Sequence, residues 1–155
     1  MRDIYEVLEK LNISFEEIEH EPVFTIEEAQ RIESQMEGIG SKNLFLTDKK
    51  GHYFLVVLEE NKRANIKELS KLTGATRLAF ADSEELINVL HLEQGSVSPL
   101  GIINDHDNRV LMIIDRDLQN SKLLVHPNVN NKTISIWFSD LIKLIHAEGH
   151  DYLLV

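Results

Sequence analysis

Leu44-Phe45-Leu46-Thr47-Asp48-Lys49-Lys50-Gly51-His52-Tyr53-Phe54-Leu55-Val56-Val57-Leu58 reads as two strands joined by a tight turn. The runs 44–47 and 52–58 are apolar and rich in β-branched and aromatic residues, and the polar tetrapeptide between them carries Gly51, which supplies the positive φ such a turn needs. A hairpin at this point sets the fold, because the segments on either side alternate in type without the regular period of a βαβ repeat.

Upstream, Asp3 is placed to cap a helix with the apolar stripe Ile4, Val7, Leu8 and Leu11, and Glu6 is placed to complete a capping box. A short strand is expected over Phe15–Glu19. Thr25 with Glu28 forms a second capping box that opens a helix towards Gln35, stopped at Gly38-Ile39-Gly40. Downstream, Asn65 with Glu68 starts a helix that Gly74 ends. Arg77–Phe80 reads as a strand, and Asp82-Ser83 caps a helix through Glu85, Leu86, Val89 and Leu90. Strands are expected at 100–103, 110–114, 122–125 and 133–138, with Asn104–Asn108 turning between the first two. Ser139 is placed to cap a closing helix that contains Leu141, Ile142, Leu144 and Ile145. The order predicts an α+β, mixed α/β architecture: a curved, mixed and partly antiparallel sheet surrounded by helices.

The chain has 155 residues, 43% hydrophobic and 27% charged, which is the balance of one globular domain spanning residues 1–155. No stretch approaches the roughly 20 apolar residues of a membrane span, and the amino terminus enters an amphipathic pattern directly, without a signal-peptide core. A cytoplasmic protein with no membrane partner is expected. The absence of cysteine excludes disulfides, thiolate nucleophiles and cysteine zinc sites.

The net charge of −10 opposes indiscriminate nucleic-acid binding, and DNA is not an expected partner. The charge is uneven, however. Residues 1–40 carry 3 basic and 11 acidic side chains, residues 41–80 carry 8 and 4, and residues 81–155 carry 5 and 11. Lys42, Lys49, Lys50, Lys62, Arg63, Lys67, Lys71 and Arg77 in the middle section either line one RNA-facing side or form an ordinary solvated surface.

Several chemistries are poorly supported. His146 and His150 have the i,i+4 spacing of a helical metal pair, but Gly149 ends the helix between them and no glutamate completes a zincin pattern. Asp105-His106-Asp107-Asn108 lacks the glycine and distal glutamate of a calcium loop and reads as a turn. Neither Ser96 nor Ser98, set against His126, sits in a nucleophile elbow. No metal or other cofactor is expected.

Three islands stand out: Gly40-Ser41-Lys42-Asn43-Leu44-Phe45-Leu46, Gly95-Ser96-Val97-Ser98-Pro99-Leu100-Gly101 and His126-Pro127-Asn128. Lys42 opens a strongly apolar strand, so it either snorkels at a sheet edge or projects its charge into a pocket. The second island presents backbone to a ligand or serves as a simple turn. In this order, and preceded by His20-Glu21-Pro22-Val23-Phe24-Thr25, the islands resemble the free-standing prolyl-tRNA editing family, the YbaK-like group of aminoacyl-tRNA deacylases. The resemblance spans nearly the whole chain, and the form Lys-Asn-Leu-Phe-Leu resembles the branch that removes alanine from tRNA(Pro).

The resemblance implies the editing-domain fold and a site in which Lys42 contacts the phosphate or ribose of the terminal adenosine and His126 lies at the aminoacyl pocket. Gly95, Ser96, Val97, Ser98 and Pro99 would form the loop whose N–H groups hold the ester carbonyl and stabilise its oxyanion, with the attacking water assisted by a ribose hydroxyl. His20, Thr25, Asn43, Leu46, Leu100 and Gly101 complete the candidate substrate-binding set, Val97, Leu46 and Leu100 as pocket walls. The expected partner is an aminoacyl-tRNA, bound through the tRNA(Pro) acceptor end. Its identity is read either by this domain or by a partner such as prolyl-tRNA synthetase. A cysteinyl-tRNA(Pro) deacylase on the same scaffold and a non-catalytic module that binds a tRNA end remain as alternatives.

Overall fold

The computed structural model describes residues 2–23 and 25–155, apart from the side chain of Ile26. Phe24 of the opening island therefore lies outside the described residues. The chain folds as α1 (Ile4–Lys10), β1 (Glu16–Glu19), α2 (Ile26–Glu33), β2 (Ile39–Thr47), β3 (Tyr53–Glu59), α3 (Ile66–Thr73), β4 (Ala79–Phe80) and α4 (Ser83–Leu90). A 3-10 helix (Pro99–Asn104), β5 (Val110–Ile114), β6 (Lys122–Val125), β7 (Lys132–Trp137), α5 (Phe138–Ala147) and β8 (Tyr152–Leu154) follow.

The strands form one mixed sheet in the order β1-β7-β6-β2-β3-β5-β8, with β4 also paired to β2. The β2–β3 hairpin is antiparallel from Ser41↔Glu59 to Thr47↔Tyr53. Its turn places both Lys49 (φ 63°) and Gly51 (φ 91°) in the left-handed region, and Asp48 Oδ1 accepts from the N–H groups of Lys50 (2.7 Å) and His52 (3.2 Å). Pairing of β3 with β5 and of β5 with β8 is parallel. The expected mixed, partly antiparallel sheet surrounded by helices is the fold observed.

Because helices cover both faces at the centre, β3 is apolar at successive positions rather than at alternate ones. Leu55 and Val57 join Phe45, Met112 and Ile114 in a core capped by α1, α4, α5 and the 3-10 helix. Phe54, Val56 and Leu58 join Leu46, Ile113, Leu69 and Leu78 on the other face, under α3.

Several boundaries differ from the sequence reading. Residues 100–103 are not a strand: Ser98 Oγ accepts from Leu100 N (3.2 Å), Pro99 takes a first-turn position, and the apolar run coils into the 3-10 helix, every residue of it buried. A short apolar run fits a buried helix as well as a buried strand. Gly38-Ile39-Gly40 does not end a helix, since α2 stops at Glu33 and β2 has already begun at Ile39. Only 79–80 of the 77–80 segment is extended. The last helix starts at Phe138, ahead of Ser139, with Trp137 as a cap that makes no side-chain hydrogen bond. Asp3 accepts from Tyr5 N (2.9 Å), one residue short of the box expected with Glu6. The terminal strand β8 was not anticipated.

Candidate active site

The site arises where the sheet divides. β2 lies beside β6 only at Ile39 and Gly40, opposite Leu123 and Leu124, and beside β4 only at Leu46 and Thr47. Between these contacts, Ser41–Leu44 are paired to β3 on one edge and open on the other. β6 ends at Val125, and Pro127, lacking an N–H, cannot extend it. Ser41 Oγ donates to the Leu124 carbonyl (3.1 Å) at the point of divergence.

Beyond this point lies a cavity of about 390 Å³. Ser41, Lys42 and Asn43 form one wall, Val125, His126 and Thr133 another, and α2 closes it with Ala29, Ile32 and Glu33. Thr25 caps α2 by accepting from Glu28 N (3.1 Å) and lines the same space, as do His20 and Val23. Ala29, Ile32 and Glu33 lie one helical turn apart, which explains why one face of α2 reaches the cavity. None of the described side chains of α2 is fully buried.

The two histidines are held by their neighbours. His126 Nδ1 donates to the Lys132 carbonyl (2.9 Å), which leaves Nε2 as the acceptor nitrogen of a neutral ring. Burial holds His126 below the ordinary histidine range, opposed by the Lys132 hydrogen bond and helped by the facing His20, whose ring centroid is 6.4 Å away. His20 Nδ1 donates to the Glu21 carbonyl (2.7 Å), so its Nε2 accepts from Thr133 Oγ1 (2.8 Å). Asn43 Oδ1 is buried without a hydrogen-bond donor among the described residues. No ion pair is formed by Lys42 among them either.

Two cavity residues were not anticipated. Glu33 and Glu60 share a side-chain hydrogen bond, and burial, with that bond and the charges of Glu60 and Glu59, pushes Glu33 from an ordinary 4.5 up to about 8. The pair lies over Gly40: a Cβ there would stand 2.2 Å from Glu33 Oε2 and 2.3 Å from Glu60 Oε2. The available signal was a glycine inside a strand pattern, which marks a close approach.

This pair predicts a pH slope. A carboxyl whose folded pKa exceeds its unfolded value takes up a proton on folding, so its contribution is complete below 4.5 and disappears as pH rises through about 8. Urea unfolding at about pH 5 and about pH 8.5 should show the wild type losing stability between the two, and Glu33→Gln losing less. Gly40→Ala should push the carboxyls apart and flatten the same slope, read by the same titration.

Five of the expected residues, His20, Thr25, Lys42, Asn43 and His126, come together on this cavity. Leu46 does not, since it lies farther along β2, beside β4, and is buried with Leu69 and Leu78 under α3. Leu100 is buried in the main core, and Gly101 packs close to Leu92, 2.6 Å from a Cβ built at that glycine. Gly95, Ser96, Val97, Ser98 and Pro99 do not line the cavity but abut it: Ser98 Oγ donates to the His126 carbonyl at 2.5 Å. Ser96 N donates to the Glu93 carbonyl (3.0 Å), while the N–H groups of Val97 and Ser98 make no hydrogen bond among the described residues.

The basic residues 42–77 do not converge on one cavity. Lys62 is bound by Asp115 (2.8 Å) and Asp117 (2.5 Å), and with Arg63 it lines a second cavity, while Lys50 lines a third. His146 and His150 are engaged elsewhere: His146 packs on Tyr152, and His150 Nε2 meets Asp105 Oδ2 at 3.0 Å. No helix among the described residues is long and apolar enough to cross a membrane.

A cavity at a sheet division with an unpaired lysine, a neutral histidine and an abutting glycine-proline loop accompanies a match of residues 20–144 to the aminoacyl-tRNA editing domain, and the chain belongs to that family of editing enzymes. Among its relatives, the prolyl-tRNA editing protein ProX of Acetoanaerobium sticklandii is 38% identical over 147 residues, covering 94% of this chain and 90% of that protein. The prolyl-tRNA synthetase associated domain-containing protein 1 of Danio rerio is 35% identical over 152 residues, covering 96% and 83%. A solved structure of a candidate trans-editing enzyme for prolyl-tRNA synthetase superposes with a TM-score of 0.76 at 19% identity, covering 97% of this chain and 92% of that one, which agrees in fold.

Proposed function

We propose that this protein hydrolyses the ester of mischarged tRNA(Pro) in trans, with alanyl-tRNA(Pro) as the preferred substrate. The observation that carries the reading is the set of His20, Thr25, Lys42, Asn43 and His126 on one cavity, in a chain that spans most of the length of relatives named for prolyl-tRNA editing. Lys42, without a carboxylate partner among the described residues, binds the phosphate or ribose oxygens of the terminal adenosine. The donors assigned to a developing oxyanion are the N–H groups of Val97 and Ser98, which make no hydrogen bond among the described residues, in a loop that abuts the cavity and that Ser98 fixes to the backbone of His126. Such donors contribute roughly 10²–10³-fold each. Water adds to the ester carbonyl carbon, the bond to the ribose oxygen breaks, and the released ribose oxygen takes up a proton; a ribose hydroxyl assists the water, and His126 Nε2 accepts a hydrogen bond from the hydroxyls.

Selectivity follows from exclusion. Val23, Ala29, Ile32 and Val125 bring apolar surface to the cavity, so a small side chain enters and a larger ring overlaps the wall. A second sieve is required because one methylene in a synthetase pocket is worth only about 1–3 kcal/mol. The editing takes place in the cytoplasm on tRNA(Pro) supplied by prolyl-tRNA synthetase.

The test is deacylation of alanyl-, cysteinyl- and prolyl-tRNA(Pro) by purified protein, with and without chelator. Chelator-insensitive loss of alanine alone is expected. Preference for cysteine would move the protein to the sister activity, and no turnover of any ester would leave a binding module.

A further inference from the structure

We propose that Glu33 and Glu60 form the recognition site for the α-ammonium group of the aminoacyl ester. The inference rests on the editing reading above and deepens it. The two carboxyls come from different elements, the end of α2 and the residue after β3, and meet on the cavity that holds Lys42. Gly40 leaves them room, since any side chain there would collide with both.

The placement is asymmetric in charge. Gly40 and Lys42 are two apart on β2, so they project to the same side of the strand, about 7 Å apart. A cation and a pair of acidic groups thus face one space without forming an ion pair with each other. The aminoacylated end of a tRNA has the complementary arrangement, with phosphate and ribose oxygens at one end and a primary ammonium at the other.

Two neighbouring carboxyls cannot both ionise without a cation, and among the described residues none forms an ion pair with either. They hold a proton between them instead, which agrees with the elevated titration of Glu33. An arriving ammonium replaces that proton, supplying positive charge and N–H donors together. Asn43, which lines the same cavity from the other side of the β2 pleat, also has a buried Oδ1 without a hydrogen-bond donor among the described residues.

The test compares alanyl-tRNA(Pro) with lactyl-tRNA(Pro), an ester of nearly the same shape in which a hydroxyl replaces the ammonium. The full-length wild type, Glu33→Gln and Glu60→Gln are each assayed for kcat and KM, with a thermal unfolding curve for each variant. The wild type should prefer the alanyl ester about 10- to 100-fold in kcat/KM, the range expected for a charge-assisted hydrogen bond. Each substitution should erase most of that preference, chiefly through KM for the alanyl ester.

Equal losses on both esters would overturn the assignment, because they would mark a carboxyl that only fastens α2 or serves as a base. A wild type indifferent to the amino group would also overturn it. Failure of the wild type to hydrolyse alanyl-tRNA(Pro) at all would overturn the editing reading itself, and the assignment with it; the two failures are therefore distinguishable.

Discussion

Lys42→Ala should lower kcat/KM for deacylation of alanyl-tRNA(Pro) by at least about 100-fold, comparable to losing one preorganised donor, while the unfolding midpoint stays near that of the wild type. The side chain forms no ion pair in the described structure, so its removal breaks none of the fold's ionic contacts, and its neighbours Ser41 and Asn43 remain fixed by the β2–β3 ladder. Lys42→Arg should recover only part of the activity, since a planar guanidinium does not occupy the volume of a compact ammonium. A fully active Lys42→Ala enzyme would remove the lysine from the site.

Asp105→Ala should have the converse effect, destabilising the fold by about 3–5 kcal/mol, the cost of leaving one member of a buried pair alone. Asp105 and His150 are both buried. Asp105 Oδ2 accepts from Val110 N (2.8 Å) at the start of β5 and meets His150 Nε2 (3.0 Å) just before β8. One carboxylate thus fixes the entry of two paired strands, and alanine would leave the Val110 N–H and the buried His150 Nε2 without the oxygen they share. Chemical denaturation checks the magnitude. Neither residue lines the cavity, so the folded fraction at low temperature should retain its turnover number.

What could be read from the sequence follows from how local each signal was. The β2–β3 hairpin was legible because Asp48 and Gly51 specify the turn and uninterrupted apolar runs flank it. Helices α2, α3 and α4 were legible from the caps Thr25, Asn65 and Asp82, each of which accepts from the backbone three residues on. The 3-10 helix was misread because Leu100–Ile103 is uniformly apolar and has no period to distinguish coil from extension. Tyr152–Leu154 is too short to announce itself, and it is a strand only because the β5 edge is there to receive it.

The candidate site divides in the same way. Lys42, Asn43 and His126 sit in recognisable islands, and the structure brings those islands together. Leu46 and Leu100 belong to the same islands, but Leu46 lies farther along β2, beside β4 and buried under α3, and the 3-10 helix buries Leu100. Glu33 and Glu60 lie in no motif. Their meeting depends on the angle at which α2 crosses β2 and on Gly40 leaving space, neither of which a linear pattern records.

The division of β2 between two neighbours has an evolutionary consequence. Since the backbone of Ser41–Leu44 is paired to β3 alone and none of the described side chains of α2 is fully buried, the wall that α2 gives the cavity is nearly independent of both cores. Substitutions on α2 can reshape the space at little thermodynamic risk, so a descendant could drift from one small amino acid to another while keeping its folding stability. A lineage built this way can explore new preferences before losing the old scaffold.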